Sequence, residues 1–411
     1  MYMNINILKT RTVAAISLLV TIALIVVSCN KELPVAVPIN PPAGNGTVTI
    51  GEMIKKDTAN YSFFVAAATK VNMLDQLSDP AKEFTVFLPD NAAFRASGFP
   101  SVAAVNAQSA ATLGAIVSYA IIPGRQYVSD SVPATFPNVQ LPTTLTIGAL
   151  PGTPLPLKLS TFPSKRANGF WDNNIPVLKP DNKFSNGVVH VVAGIVAPPS
   201  QVLKSAIYSN PDLSYFKAAI ARADSGMTGL NKLDSLLGYA VTNMTVLVPN
   251  NDAFKTLLFG SIYGALLSQG ADDATASTQA AALSASPAVF SNPALFSVLT
   301  AQTVRGIAAY HFLATNAGSG FQPNIRAFSV NFPETPAFFT TLVNASVAVH
   351  PGIMAQATFA GPFVSSLKFT GLGTFPPGGA PYSGAAANAV KMDQHAVNGV
   401  FHIIDKVLLP Q

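Results

Sequence analysis

The 411-residue sequence is 49% hydrophobic and only 10% charged, so it is long and apolar enough for two or three domains with large buried cores. The net charge of +5 comes from lysines and arginines that are scattered along the chain. No basic run with interleaved aromatic residues occurs, which argues against nucleic acid binding. The single cysteine, Cys29, excludes a framework of internal disulfides.

The first 28 residues have the pattern of a bacterial signal peptide. Lys9 and Arg11 form a basic region, and the apolar run over 13–27 is shorter than the roughly 20 residues of a membrane span. The run ends in Val-Val-Ser-Cys, which resembles a lipobox. We therefore expect diacylglycerol on Cys29 as the first residue of the mature protein. The alternative is an ordinary signal peptide with an incidental cysteine.

Residues 29–47 are rich in proline and glycine, which predicts a flexible tether between the lipid and the folded part. Lys31-Glu32, shortly after the cysteine, resembles the surface-export signal of Bacteroidetes lipoproteins. Together these features predict an outer membrane lipoprotein that is exposed at the cell surface. A lipoprotein that faces the periplasm is the alternative.

The remaining sequence contains three pairs of similar segments in the same order. They are FTVFLPDNAAF and MTVLVPNNDAF, LGAIVSYAIIPGR and VRGIAAYHFLATN, and NGVVHVVAGIVAPP and NGVFHIIDKVLLP. Such ordered self-similarity predicts two copies of one module. We call residues 48–200 the first module and residues 201–411 the second module.

Each copy has the same predicted order of elements. A helical pattern over 62–77 precedes the mostly apolar run 85–88, which Pro89 ends, and Asp90-Asn91 then caps a new helix. Later, an Asn-Gly turn leads into a strand that is apolar on both faces. Helices first and mainly strands afterwards predict an α+β fold.

On these segments, the module resembles the fasciclin (FAS1) domain. The resemblance implies two tandem modules, each with a helical N-terminal part packed on a β-sheet or β-wedge core. It implies structural roles for the positions that match the family signatures. These positions are Thr85, Pro89, Asn91, Phe94, Tyr119, Asn186, Gly187 and His190 in the first module, and Thr245, Pro249, Asn251, Phe254, Tyr310, His311, Asn398, Gly399, His402 and Asp405 in the second. The first module departs from the family at Ala120, which replaces a histidine, and at Ala193-Gly194, which replaces Ile-Asp.

The second module is longer, with additional sequence near 268–296 and 371–388. The first of these stretches is rich in alanine and serine and contains the adjacent pair Asp272-Asp273. Because oxygen ligands at regular spacing are missing, we predict a loop here rather than a calcium site. The second stretch, rich in glycine and proline, also predicts a loop.

The histidines are not arranged as a catalytic or metal site. His190 and His402 lie within apolar strands, and no cluster of His, Cys, Asp and Glu occurs at ligand spacing. We therefore predict buried imidazoles that are bonded to the backbone or to a hydroxyl, with no metal and no cofactor. His311 is expected to meet the C-terminal strand, and His395 to lie in a surface loop.

Phe170 and Trp171, near Lys165 and Arg166, are the best candidates for a ligand contact. An exposed aromatic platform with polar neighbours stacks on sugar rings or anchors a protein partner. The alternative is that Trp171, the only tryptophan, covers the end of the first module's core.

The resemblance implies adhesion rather than catalysis, with extracellular protein, matrix or glycan as the ligand and the membrane reached through the lipid. One alternative is an accessory lipoprotein that holds glycans for a polysaccharide-uptake system. A hydrolase is a third class, although no G-x-S-x-G elbow occurs after residue 29. The sequence leaves the oligomeric state open.

Overall fold

The computed structural model describes residues 47–150, 152–316, 321–322, 324–375 and 377–411. The predicted signal peptide, Cys29 and nearly all of the predicted tether lie outside the described residues. Eleven α-helices are present in the described part of the chain: α1 Ile50–Lys56, α2 Thr58–Lys70, α3 Asn91–Ala96, α4 Val102–Asn106, α5 Ala110–Tyr119, α6 Leu203–Tyr208, α7 Ser214–Ala223, α8 Leu233–Gly238, α9 Asn251–Ser268, α10 Asp273–Ser284 and α11 Ala301–Tyr310.

Short 3-10 helices connect several of these elements: Gln76–Ser78, Ser129–Ser131, Pro211–Leu213, Gly229–Asn231, Pro287–Ser291, Pro293–Leu295, Ser329–Asn331 and Leu342–Ala345. The described strands of the first module are β1 Phe84–Pro89, β2 Ile121–Pro123, β3 Leu141–Ala149, β4 Pro156–Thr161, β5 Pro163–Arg166, β6 Gly169–Asp172, β7 Ile175–Phe184 and β8 Gly187–Val192. Those of the second module are β9 Met244–Pro249, β10 Thr315–Asn316, β11 Phe321–Gln322, β12 Ala337–Phe339, β13 Ile353–Ala360, β14 Phe363–Thr370, β15 Ala387–Ala396 and β16 Gly399–Ile404.

Most strands form one six-stranded sheet in each module, while β3 with β4 and β10 with β11 form separate two-stranded sheets. The order is β2-β1-β8-β7-β6-β5 in the first and β12-β13-β14-β15-β16-β9 in the second. Both sheets contain one parallel pair, β1 with β8 and β9 with β16, and the pairs share the same register. His190 lies opposite Phe87, just as His402 lies opposite Leu247. The internal repeat is therefore a repeat of structure, and the fold is α+β as predicted.

The parallel strands are buried along their whole length because they pack on both faces. Successive side chains of a strand point to opposite faces. Val86 and Leu88 accordingly join the helical core of the first module, whereas Phe87 joins a second cluster on the other face. The unbroken apolar runs that mark these strands in the sequence follow from this double burial.

The strand-to-helix turns follow the predicted chemistry. Asp90 accepts a hydrogen bond from the Ala93 N–H at 2.8 Å, and Asn250 accepts one from the Ala253 N–H at 2.9 Å. A side-chain acceptor at this position satisfies a backbone donor that has no partner within the helix. The helices that follow differ in length, with six residues in α3 and 18 in α9.

The prediction of a loop around Asp272 is wrong. Asp272 caps helix α10, and its carboxylate accepts a hydrogen bond from the Thr275 N–H at 2.9 Å. Alanine has the highest helix propensity of all residues, so the alanine-rich stretch folds as a helix once it is capped. Helix α10 packs beside the long helix α9.

Candidate functional site

Each module contains a buried threonine in the first strand of its six-stranded sheet. This side chain forms two hydrogen bonds with the backbone of a later loop. The Thr85 hydroxyl donates to the Arg125 carbonyl and accepts from the Tyr127 N–H, both at 2.8 Å. Thr245 makes the same two bonds, at 2.7 and 2.8 Å, to Ile325 and Ala327. The hydroxyl acts as donor and acceptor at once, which valine, its apolar isostere, cannot do.

A buried asparagine precedes the last strand of each module and binds three backbone groups. Asn186 accepts from the N–H of the first residue of α1 and donates to two carbonyls, with the partners Ile50 at 2.8 Å, Leu77 at 2.9 Å and Asp79 at 3.1 Å. Asn398 repeats this with Leu203 at 2.7 Å, Leu237 at 3.0 Å and Tyr239 at 3.1 Å. The residue after each asparagine is a glycine, Gly187 or Gly399, because a Cβ there would lie 2.1 Å or 2.4 Å from a carbonyl oxygen of the paired strand.

A second asparagine fixes the helical part against the first strand. Asn91 accepts from the Phe63 N–H at 3.0 Å, and Asn251 accepts from the Tyr215 N–H at 3.1 Å. Both also donate to a carbonyl at 2.9 Å, of Ala59 and Pro211 respectively. Pro89 and Pro249 end the preceding strands, and Phe94 and Phe254 are buried in the helical cores.

His190 and His402 occupy equivalent places. The His190 Nε2 lies 2.7 Å from the Tyr127 carbonyl, and its Nδ1 accepts from the Asp181 N–H at 3.2 Å. His402 makes the same contacts with Ala327 at 3.0 Å and Asp393 at 3.3 Å. Burial lowers the pKa of both imidazoles, so they are neutral and hold the backbone in place.

Two aspartates that face these histidines were not predicted from the sequence. Asp181 and Asp393 adopt positive φ angles, and each carboxylate binds the N–H and hydroxyl of a serine, Ser129 or Ser329. Each aspartate precedes its histidine by nine residues. The sequence does contain a signal for these aspartates, because the pattern Lys-x-Asp precedes the Asn-Gly turn in both copies.

We call the eight residues Thr85, Asn91, Asn186, His190, Thr245, Asn251, Asn398 and His402 the duplicated frame. The remaining signature residues surround it. Tyr119 donates to the Ser160 carbonyl at 2.9 Å, Tyr310 donates to the Gly352 carbonyl, and His311 accepts from the Leu408 N–H at 3.0 Å. Asp405 accepts from the Asn388 N–H at 2.7 Å and so ties the end of β16 to β15.

The prediction that Phe170 and Trp171 form an exposed contact surface is wrong. Phe170 packs edge-on against His190, with ring centres 5.3 Å apart. Trp171 is fully buried and donates its indole N–H to the carbonyl of Pro362, in the second module, at 2.7 Å. The indole therefore joins the two modules, because an apolar ring with one polar group gains from burial where that group finds an acceptor.

The contact between the modules is a buried mixture of apolar and polar groups. Its apolar part contains Phe162 and Trp171 from the first module and Phe328, Val330 and Val400 from the second. In its polar part, Asn331 donates to the Ser164 hydroxyl at 3.0 Å and Asn174 donates to Asp393 at 3.2 Å. The two modules thus share one continuous interior.

Arg326 lies at the centre of this contact and is only 5% exposed. Its guanidinium stacks on Phe162 at 4.4 Å and donates to Asn243, the Val397 carbonyl and His395 at 2.7, 3.0 and 3.0 Å. Burial lowers its pKa to about 10. Burial and the neighbouring arginine lower the pKa of His395, which lies in strand β15 and not in a surface loop as predicted.

The second module also has a surface cleft of about 1220 Å³. It lies between α11, the segment 230–243, the segment 342–350 and the last three residues. The exposed apolar side chains that line the cleft are Leu230, Tyr239, Val241 and Val347. The side-chain amides that line it are Asn231, Asn243, Gln302, Gln322, Asn324 and Gln411. His350 also lines the cleft, and its Nε2 lies 2.8 Å from the Pro410 carbonyl.

Within the described residues, no three His, Cys, Asp or Glu side chains come together as metal ligands. The same part of the chain has no helix that is both long and apolar enough to cross a lipid bilayer. The described residues thus form a hydrogen-bonded scaffold whose second module has a surface cleft.

Comparison with known proteins defines the class. The fasciclin domain profile matches residues 59–198, which lie in the first module. The protein sll1735 of Synechocystis sp. is 27% identical over 136 residues, which are 33% of this chain and 88% of that protein. A solved FAS1 domain pair from the insect cell adhesion molecule fasciclin I is 13% identical, with a TM-score of 0.33, and the match covers 85% of this chain and 96% of that structure.

The chain thus contains a fasciclin domain in its first module. Its first module carries the family match, and its second module repeats the same frame of hydrogen bonds and the same strand register. Fasciclin domains are generally linked to adhesion or binding, and they are adhesion-type domains rather than enzymes.

Proposed function

We propose that this protein is a lipid-anchored binding protein of the cell envelope that holds an extracellular protein in the cleft of the second module. The lipid would be attached at Cys29, and the predicted tether would carry both modules away from the outer membrane. The observation that carries the proposal is the cleft itself. At about 1220 Å³ it exceeds the roughly 300–1,000 Å³ of sites for small ligands and suits a segment of a larger partner.

The lining of the cleft favours protein over glycan. Its exposed side chains Leu230, Val241 and Val347 are aliphatic, and such groups gain by covering apolar side chains of a partner. Sugar rings are held by aromatic platforms, but the only tryptophan is buried between the modules, and Tyr239 is the one exposed aromatic residue among the described residues that line the cleft. The amides around the cleft would then bind the backbone of the partner.

The proposal is tested with cells that display the complete chain. Replacing Leu230 and Val347 by Asp should reduce attachment to immobilised extracellular matrix proteins at least tenfold, because the charges oppose burial of an apolar partner. Leu178→Asp is the matched control, since Leu178 is 56% exposed and lies in the first module. Cys29→Ser should abolish attachment of cells while leaving binding by the purified protein unchanged.

Attachment that is unchanged by the double substitution would contradict the role of the cleft. A glycan array provides the second arm of the test. Binding to glycans, with no protein ligand, would favour the accessory role in polysaccharide uptake instead.

A further inference from the structure

The second module contains an apolar cavity of about 210 Å³ that adjoins the surface cleft, and Thr303, Ile307 and Leu409 line both. It lies between helices α7, α9 and α11, the 3-10 helix Pro287–Ser291, and the loop that follows β14. Two of these walls come from the sequence that lengthens the second module. Phe290 belongs to the stretch near 268–296, and Phe375 belongs to the stretch near 371–388. The additional sequence thus builds a cavity onto the shared fold.

The lining is almost wholly apolar, with Phe216, Phe254, Leu258, Phe290, Val304 and Leu409 among its members. His311 reaches the cavity, but both of its ring nitrogens are bonded to the backbone, to Ile307 at 2.8 Å and Leu408 at 3.0 Å. Thr303 is paired with Thr300 at 2.8 Å. No charged side chain lines the cavity, so a charged group would lose its hydration there without gaining a partner.

Phe375 covers the mouth of the cavity from an exposed loop. Its ring lies directly on helix α9 at Gly260, where an added Cβ would be 2.3 Å from the ring. Glycine in the interior of a helix is less stable than alanine, and here it makes room for the phenylalanine. Phe375 itself is 43% exposed. Its displacement would open the cavity without disturbing the core below.

We propose that this cavity binds a small uncharged hydrocarbon group, such as a medium-length alkyl chain, which enters past Phe375. An apolar cavity of about 150 Å³ in another protein is enough for benzene, so the larger volume here accommodates roughly eight carbon atoms. The cavity shares three lining residues with the cleft that we propose for the extracellular partner, but neither proposal requires the other.

The test is a calorimetric titration of the purified chain with 1-octanol, and with octanoate as the charged counterpart. We expect octanol to bind at least tenfold more tightly than octanoate. Ala308→Leu fills the cavity from α11 and should weaken octanol binding at least tenfold, whereas Phe375→Ala should weaken it less and accelerate release. Leu178→Ala, which removes an exposed aliphatic side chain far from these walls in sequence, should change nothing.

Circular dichroism and thermal unfolding establish that each variant is folded. If Ala308→Leu does not fold, Ser261→Leu fills the same cavity from α9 and decides the question. Octanol binding that survives both substitutions, or that is absent in the unsubstituted protein, would overturn the proposal.

Discussion

The two modules share their hydrogen-bonded frame and differ in what is built around it. Thr85 and Thr245, and likewise Asn186 and Asn398, bind equivalent backbone atoms at distances that agree within 0.1 Å. Outside the frame, the first module contributes Trp171 to the contact between modules, while the second has the long helix α9, the cavity and the cleft. A frame of a few polar side chains therefore tolerates large changes in its surroundings.

The contact between the modules is the first place to test this comparison. Trp171→Ala removes a fully buried ring and the bond to Pro362, so the free energy of unfolding should fall by about 3–5 kcal/mol. Because the ring belongs to a core shared by both modules, we also expect the unsubstituted protein to unfold in one denaturant transition and the variant in two. Trp171→Phe keeps most of the packing and should have a smaller effect. A loss no larger than that of Leu178→Ala would contradict the bridging role.

The asparagines of the frame test whether the two modules are equivalent in energy as well as in geometry. Asn186→Ala and Asn398→Ala each leave two buried backbone groups and one partly buried group without their partner, at about 1 kcal/mol per group. We expect each substitution to lower the free energy of unfolding by about 3 kcal/mol, as measured by chemical denaturation. Asn106→Ala, at an exposed helix end, is the matched control. Clearly unequal losses would show that the frame is essential in one module only.

The fold was predictable because it depends on short local patterns that occur twice. The apolar run before Pro89, the capping residue Asp90 and the Asn-Gly turn each encode one step of the chain path, and the repeat fixes their order. Burial of His190 and His402 follows from the apolar residues on both sides of them in the sequence. Such information is local, so it can be read without the tertiary structure.

The contact between the modules was not predictable in the same way. The sequence around Trp171 is compatible with an exposed ring and with a buried one. The ring is buried because Pro362, 191 residues later, lies against it. Arg326 resembles any surface arginine in the sequence, although it is buried against Phe162. The cleft and the cavity likewise depend on segments that are far apart in the chain.

The last prediction concerns pH and Asp172, which distinguishes the surroundings of Tyr119 from those of Tyr310. Asp172 is fully buried beside Thr161, one of its carboxylate oxygens has no hydrogen-bond partner among the described residues, and burial raises its pKa to about 7. The hydroxyl of Tyr310 instead meets the backbone at Gly352 and Leu372. We therefore expect the carboxyl group beside Tyr119 to make the stability of the first module depend on pH, with no counterpart beside Tyr310.

The sign of that dependence follows from the two pKa values of Asp172. The folded state binds the proton up to about pH 7, whereas the unfolded state releases it near the ordinary value of 3.8. The contribution of Asp172 to stability is therefore complete below pH 4 and is lost as the pH rises to 7, by at most about 1.4 kcal/mol per pH unit. Asp172→Asn should remove this decline in denaturation measurements between pH 4 and 7, while Asp75→Asn, at an exposed carboxylate, should retain it. A decline that persists in Asp172→Asn would place its origin in another group.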